Sequence, residues 1–181
     1  MNVLETTLPG VIILEPRVFS DERGHFFESY NRQSIRNAAG IDAEFVQDNH
    51  SYSVRGVIRG LHYQIRQPQG KLVRVVAGGV FDVAVDIRRS SPTFGRWFGC
   101  ELSAKNKRIV WIPPGFAHGF AALEDGTEFL YKVTDYWASA HERTILWNDP
   151  EIGIQWPEVG TPIVSAKDRM GASLSSAEVF P

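Results

Sequence analysis

The sequence predicts an all-β protein, an antiparallel sandwich or barrel of the jelly-roll kind. Three observations carry that expectation. The chain is a succession of short apolar or alternating segments, separated by turn-forming Gly, Pro, Asn and Asp. One of them, "VFDVAVDIR", alternates strictly, so that Phe81, Val83, Val85 and Ile87 share a face. Helix signals are confined to "NRQSIRNAAG", with Asn31 as N-cap and Gly40 just past the C-terminus, and the tail beyond Trp156 has room for a turn or two.

Taken in order, the expected strands are "VIILEP", "HFFESY", "FVQDNHSYS", "GVIRGLHYQ", "KLVRVVAG", "VFDVAVDIR", "GRWFGCELS", "RIVWIP", "HGFAALE" and "EFLYKVTDYW". The turns between them carry recognisable chemistry in "QPQG", "SSPTFG", "SAKNK", "PPG" and "EDGT". No linker, repeat or low-complexity tract interrupts the 181 residues, which are expected to form one domain over 1–181. A chain of that length buries roughly 70% of its unfolded surface, enough for a core with a pocket at a barrel mouth or between sheets.

Composition narrows the function classes. Hydrophobic content of 43% and charged content of 22% are ordinary for a globular protein. A formal net charge of −2 offers no basic excess for nucleic acid, so an anionic ligand must meet a local cluster of Lys and Arg. The single cysteine, Cys100, rules out an internal disulfide or a thiolate metal cage, and "RWFGCELS" makes it a small buried or half-buried strand residue. "MNVLETTLPGVIILEP" lacks the basic start and apolar run of a signal peptide, and no apolar stretch approaches the ~20 residues of a membrane span. A cytoplasmic protein with no membrane partner is expected.

"VIRGLHYQIRQPQGKLVRV", Val57 to Val75, is dense in ionisable groups. The short "QPQG" connection predicts two adjacent antiparallel strands, with Lys71 a few residues from His62 across the ladder, either exposed at a strand start or an anion clamp. Strict alternation puts Arg59 and His62 on opposite faces. A bulge at Gly60 or Leu61 would put them on the same face, a fixed cation beside a group that titrates near neutrality. Both arrangements are open at this level.

"IPPGFAHGF" fits P-x-G-x-x-H through Pro113, Gly115 and His118, and resembles the second motif of the cupin superfamily. The first motif of metal-binding cupins carries H-x-H, whereas here Gln64 stands where the second His belongs. His50 in "QDNHS" has no ligand spacing with His62 or His118, so a metal-free site is expected. In "EFLYKVTDYW", Phe129, Tyr131 and Val133 share a face, with Tyr131 either a satisfied core residue or an acid on a pocket wall. "SAKDRM", "DERGHFFES" and "HERTILWNDP" read locally as polar surface segments.

Together, "EPRVFSDERGHFFESYN", "FVQDNHS", "RGLHYQ", "QGKLVRV", "GVFDVAVDIRRSSPTFGRW", "IPPGFAHGF", "FLYKVTDYW", "ERTILWNDPEIGIQWP" and "VSAKD" resemble the dTDP-4-dehydrorhamnose 3,5-epimerase family. The resemblance runs nearly the whole chain. It implies a cupin-type jelly roll, a homodimer and no metal or organic cofactor. It implies epimerisation of a dTDP-4-keto-6-deoxy sugar at carbons 3 and 5, next to the ketone that acidifies both. By motif, His62 matches the catalytic base, Asp168 its carboxylate partner, Tyr131 the opposing acid and Lys71 the group that steadies the enolate. Arg23, Glu28, Gln47, Asn49, Arg59, His118, Glu142 and Lys167 match positions that hold the nucleotide or sugar. Trp137 departs from the "DYY" of many members, keeping a ring and losing a hydroxyl. Single epimerases and 3,4-ketoisomerases share this machinery. A metal-dependent cupin oxygenase is opposed by Gln64, and a non-catalytic sugar-binding cupin would not need His62, Asp168 and Tyr131 together.

Overall fold

A computed structural model describes all residues, Met1–Pro181. The strands are β1 (Asn2–Glu5), β2 (Ile12–Glu15), β3 (Val18–Asp21), β4 (Gly24–Phe27), β5 (Gln47–Ser53), β6 (Val57–Gln64), β7 (Lys71–Ala77), β8 (Gly79–Asp86), β9 (Trp97–Ser103), β10 (Ile109–Ile112), β11 (Phe116–Ala122), β12 (Thr127–Val133), β13 (Glu142–Thr144) and β14 (Ile163–Val164). The helices are α1 (Arg32–Ala39) and α2 (Ala166–Arg169). One six-stranded sheet runs β1-β2-β10-β7-β12-β5 and a second β13-β6-β11-β8-β9, with β14 added parallel to β6. The two sheets enclose the core of a jelly roll. No helix is long and apolar enough to cross a membrane.

Every expected strand forms. Four short strands, β1, β3, β13 and β14, were not expected; β13 and β14 exist because each adds to β6, a pairing that no local pattern announces. α1 forms as its caps predict. Asn31 accepts the Ser34 N–H at 3.1 Å, Gly40 closes the helix at φ 69°, and Ile35 is buried against the outer face of the first sheet.

The Val57–Val75 stretch is not a hairpin. β6 pairs with β11 and β13, and β7 with β10 and β12, so the two lie in opposite sheets. Residues 65–70 cross between the sheets. Each strand finds its partners elsewhere: β7 pairs with β12 from Lys71 to Ala77, and β6 pairs along β11.

Side-chain alternation separates core from pocket. On the second sheet, Leu61, Tyr63, Val83, Val85 and Ile87 point outward into a cluster closed by C-terminal residues such as Ile152 and Leu174. Val80, Ala84, Phe116 and Phe120 point inward, toward Val73, Val75 and Phe129 of the first sheet. The same inward faces then turn polar. Lys71 precedes Val73 by two residues, Tyr131 follows Phe129 by two, and His118 lies between Phe116 and Phe120. The β3–β4 hairpin stands apart as its own two-stranded sheet, with Phe19 52% and Phe26 72% exposed.

Candidate active site

The polar end of the interior is a pocket of about 560 Å³. β6 delivers Arg59 and His62 into it together because the strand carries a bulge. His118 of β11 faces His62 and Phe120 faces Arg59, so two steps on β11 span three on β6. Gly60 occupies the extra position at φ 127°, where a Cβ would come within 2.6 Å of Gly119 Cα and 2.8 Å of the His118 carbonyl oxygen. Only glycine fits both the angle and the gap.

His62 Nε2 lies 2.6 Å from Asp168 Oδ1, leaving Nδ1 as the second ring nitrogen. Asp168 is buried at 3% exposure, against the surface position its polar neighbours suggested. α2 puts it there: Ser165 caps the helix by accepting the Asp168 N–H at 3.1 Å, and the Gly60 N–H donates to Asp168 Oδ2 at 3.3 Å. Burial alone would raise this carboxyl, but the bonds from His62 and the Gly60 N–H outweigh it and hold it below the usual carboxylate range.

Tyr131 approaches from the opposite sheet, between Asn49 of β5 and Val73 of β7. Burial, reinforced by the Glu142 carboxylate, pushes its hydroxyl pKa up, and Arg59 partly offsets this. Lys71 is 7% exposed and donates to the His62 carbonyl at 3.1 Å. It therefore meets His62 across the interior, where a ladder contact was expected. Burial brings its pKa down to about 8, although the Asp82 and Glu142 carboxylates pull it upward.

A second histidine–carboxylate pair lies alongside. His118 Nε2 is 2.7 Å from Asp82 Oδ1, with both side chains buried. Burial lowers the His118 pKa, and the nearby Lys71 and His62 add to this against the pull of Asp82. Asp82 was not singled out from the sequence. Its signal was present: in "VFDVAVDIR" it falls on the face opposite the apolar one, and that face is the interior.

The remaining candidates divide. Gln47 Nε2 donates to Asn49 Oδ1 at 2.9 Å, Arg59 reaches Ser53 Oγ at 3.2 Å and the Tyr52 carbonyl at 3.0 Å, and Lys167 meets Glu142 at 2.6 Å. All of these except Tyr52 and Ser53 line the pocket, as does Trp137, whose N–H donates to Gln47 at 3.0 Å. Arg23 and Glu28 do not. Arg23 pairs with Asp21 at 2.6 Å on the exposed β3–β4 hairpin, and Glu28 bonds Asn31 at 2.8 Å. Gln64, where metal-binding cupins carry histidine, has its amide engaged by backbone: it donates to the Gln67 carbonyl at 2.8 Å and accepts the Ala138 N–H at 2.7 Å.

A half-exposed base with an oriented carboxylate, an acid on the opposite wall and an interior ammonium can move a proton on and off a carbon next to a ketone. Comparison with known proteins agrees with that chemistry. The family model described as dTDP-4-dehydrorhamnose 3,5-epimerase matches residues 5–176. The chain is 60% identical over 181 residues to the dTDP-4-dehydrorhamnose 3,5-epimerase of Pseudomonas aeruginosa, covering 100% of both. Among solved structures it is similar to a dTDP-6-deoxy-D-glucose-3,5-epimerase from Legionella pneumophila in complex with dTDP-4-keto-L-rhamnose. That match has TM-score 0.95 and 48% identity, and covers 98% of this chain and 94% of that one. A 3'-monoepimerase from Streptomyces bikiniensis in complex with dTDP-quinovose matches at TM-score 0.89 and 34% identity, covering 97% and 88%. The chain belongs to the dTDP-4-dehydrorhamnose 3,5-epimerase family.

Proposed function

We propose that this protein is an isomerase that inverts carbons 3 and 5 of dTDP-4-dehydro-6-deoxy-D-glucose. The product is dTDP-4-dehydro-L-rhamnose, an intermediate of dTDP-L-rhamnose synthesis. The observation that carries the reading is the His62–Asp168 pair, set at 2.6 Å, on the sheet opposite Tyr131 and the buried Lys71, all four lining one pocket.

In this reading Asp168 accepts from Nε2–H and so fixes the tautomer, leaving Nδ1 to take the proton from carbon 3 or 5. The electron pair of the broken C–H bond moves onto the ketone oxygen. The Lys71 ammonium stabilises that enolate, a role in which a pre-placed cation is worth far more than in water. Tyr131, kept protonated by burial, returns a proton to the other face of the same carbon. Each inversion leaves an imidazolium and a phenolate, and exchange with solvent resets both before the second carbon. Gln47, Asn49, Arg59, His118, Glu142 and Lys167 hold the nucleotide and sugar. Turnover in D2O followed by proton NMR tests the reading: deuterium should enter at two carbons. Entry at one carbon only would make the protein a single epimerase.

The working form in this proposal is a homodimer that shares its sites. Arg23 and Glu28 match ligand-holding positions yet lie outside their own chain's pocket, on or beside a hairpin with exposed Phe19 and Phe26. Exchange of such an edge between two copies covers those rings and brings Arg23 to the neighbouring pocket. Mixing Arg23→Ala protein with His62→Ala protein should restore activity after subunit exchange. Verified exchange with no recovery would show that both residues serve one chain's pocket.

A further inference from the structure

Along the inward edge of β5, the polar side chains are engaged within the protein with one exception. Gln47 and Asn49 bond each other at 2.9 Å, and Ser53 Oγ accepts from Arg59 Nε at 3.2 Å. Ser51 lies between them and lines the pocket. Its Oγ is buried and has no hydrogen-bond partner in the protein, and no other buried side-chain nitrogen or oxygen in the chain shares that condition. Its ladder neighbour is Phe129, stacked on Phe120 at 4.4 Å between ring centroids, so the wall beside the hydroxyl is aromatic and cannot satisfy it.

A buried hydroxyl without a partner is costly, and native proteins keep few of them. What lies nearby indicates the missing partner. The Arg59 guanidinium is anchored to the Tyr52 carbonyl at 3.0 Å and to Ser53, the residues immediately after Ser51. A hydroxyl donor beside an anchored cation suits an oxygen that carries negative charge.

We propose that Ser51 is a ligand-contacting residue whose hydroxyl, rotated about χ1 into the pocket that the residue lines, donates to a phosphate oxygen of the bound sugar nucleotide on the Arg59 side. This rests on the function proposed above and adds a specificity residue to it. The predicted signature is an unusual split. Removing the hydroxyl deletes an unsatisfied group from the free protein, so Ser51→Ala should melt no lower than wild type. Yet its affinity for dTDP should fall roughly 10- to 150-fold, the usual range for one hydrogen bond to a charged group. Loss in turnover should fall on KM rather than on kcat. Affinity for thymidine, which has no phosphate, should not change, and Ser51→Thr, which keeps a hydroxyl, should recover most of the dTDP affinity.

Calorimetric titration of dTDP and thymidine into wild type, Ser51→Ala and Ser51→Thr, with melting of the free proteins, decides the matter. Unchanged dTDP affinity in Ser51→Ala overturns the proposal. So does an equal loss for thymidine and dTDP, which would move the contact off the phosphate. A lower melting temperature of free Ser51→Ala overturns it as well, since the hydroxyl would then be structural. Binding is read without turnover, so failure of wild type to epimerise the 4-keto sugar would count against the proposed reaction and be seen separately.

Discussion

The two histidine–carboxylate pairs of the pocket are nearly the same chemical object in different surroundings. His62 and His118 face each other across the β6–β11 ladder, and each bonds a carboxylate through Nε2, at 2.6 and 2.7 Å. The His62 side chain is 31% exposed and the His118 side chain 8%. Asp168 arrives from a four-residue helix near the C-terminus, whereas Asp82 sits on β8, next to β11 in the same sheet. A base must gain and lose a proton in every cycle, which needs access and an orienting partner. His62 has both, in its exposure and in the Asp168 contact. His118 is held by burial toward its neutral form among Lys71, His62 and Asp82, which suits a fixed hydrogen-bonding group. Solvent access and origin of the carboxylate, and not the pair itself, separate the two roles.

The sharpest way to break this comparison is to remove each ring. His62→Ala should lower kcat by roughly 10²–10⁴-fold while dTDP affinity stays near wild type, because in the proposed reaction His62 acts at the sugar carbons. His118→Ala should mainly raise KM. Steady-state kinetics with a separate dTDP titration would show it, and near-normal turnover in His62→Ala would remove that residue from the base role.

A smaller contrast is expected from the carboxylates. Asp168→Asn should cost kcat roughly 10²–10⁴-fold by loosening the tautomer and the imidazolium, as loss of an orienting aspartate does elsewhere. Asp82→Asn should cost less in kcat and more in KM. Circular dichroism of both variants separates a local effect from unfolding, and equal losses in kcat would mean that the two pairs act as one unit.

The smallest effect is in pH dependence. In the proposed reaction Lys71 stabilises the enolate only while protonated, and burial brings its pKa down to about 8. On the alkaline side the rate should therefore decline as pH rises through that value. In Lys71→Met the remaining activity should lose this alkaline limb. A limb that persists there would belong to another group.

How much of this was legible in the sequence depends on the range of each interaction. α1 was readable to the residue because Asn31 and Gly40 act on their own helix. The β8 alternation was readable because a strand imposes period two on itself. The Gly60 bulge was one of two stated geometries, and it is the one that forms. The β6–β7 arrangement was misread because partner choice between strands is made across the whole sheet, and a short connection is no guarantee of pairing. Asp168 lies 106 residues from His62, and its neighbours "SAKDRM" carry every local sign of surface. Only the resemblance to a known family pointed to the pair. Ser51 gave no signal at all, since an orphaned hydroxyl is defined by what surrounds it in space.

Gly60 and Gly119 have a consequence for how this site can change. The backbones of β6 and β11 pass so closely there that a methyl on Gly119 would meet the Arg59 carbonyl oxygen at 2.7 Å, just as one on Gly60 would meet Gly119. The parity of β6 is thus set by two missing methyl groups. A drift to alanine at either position would do more than loosen packing. The methyl would meet backbone that no rotamer change can clear, so one strand would have to shift at the bulge that carries Arg59 and His62 into the pocket. The pocket can vary its walls one side chain at a time, but any side chain added at this crossing must displace a strand.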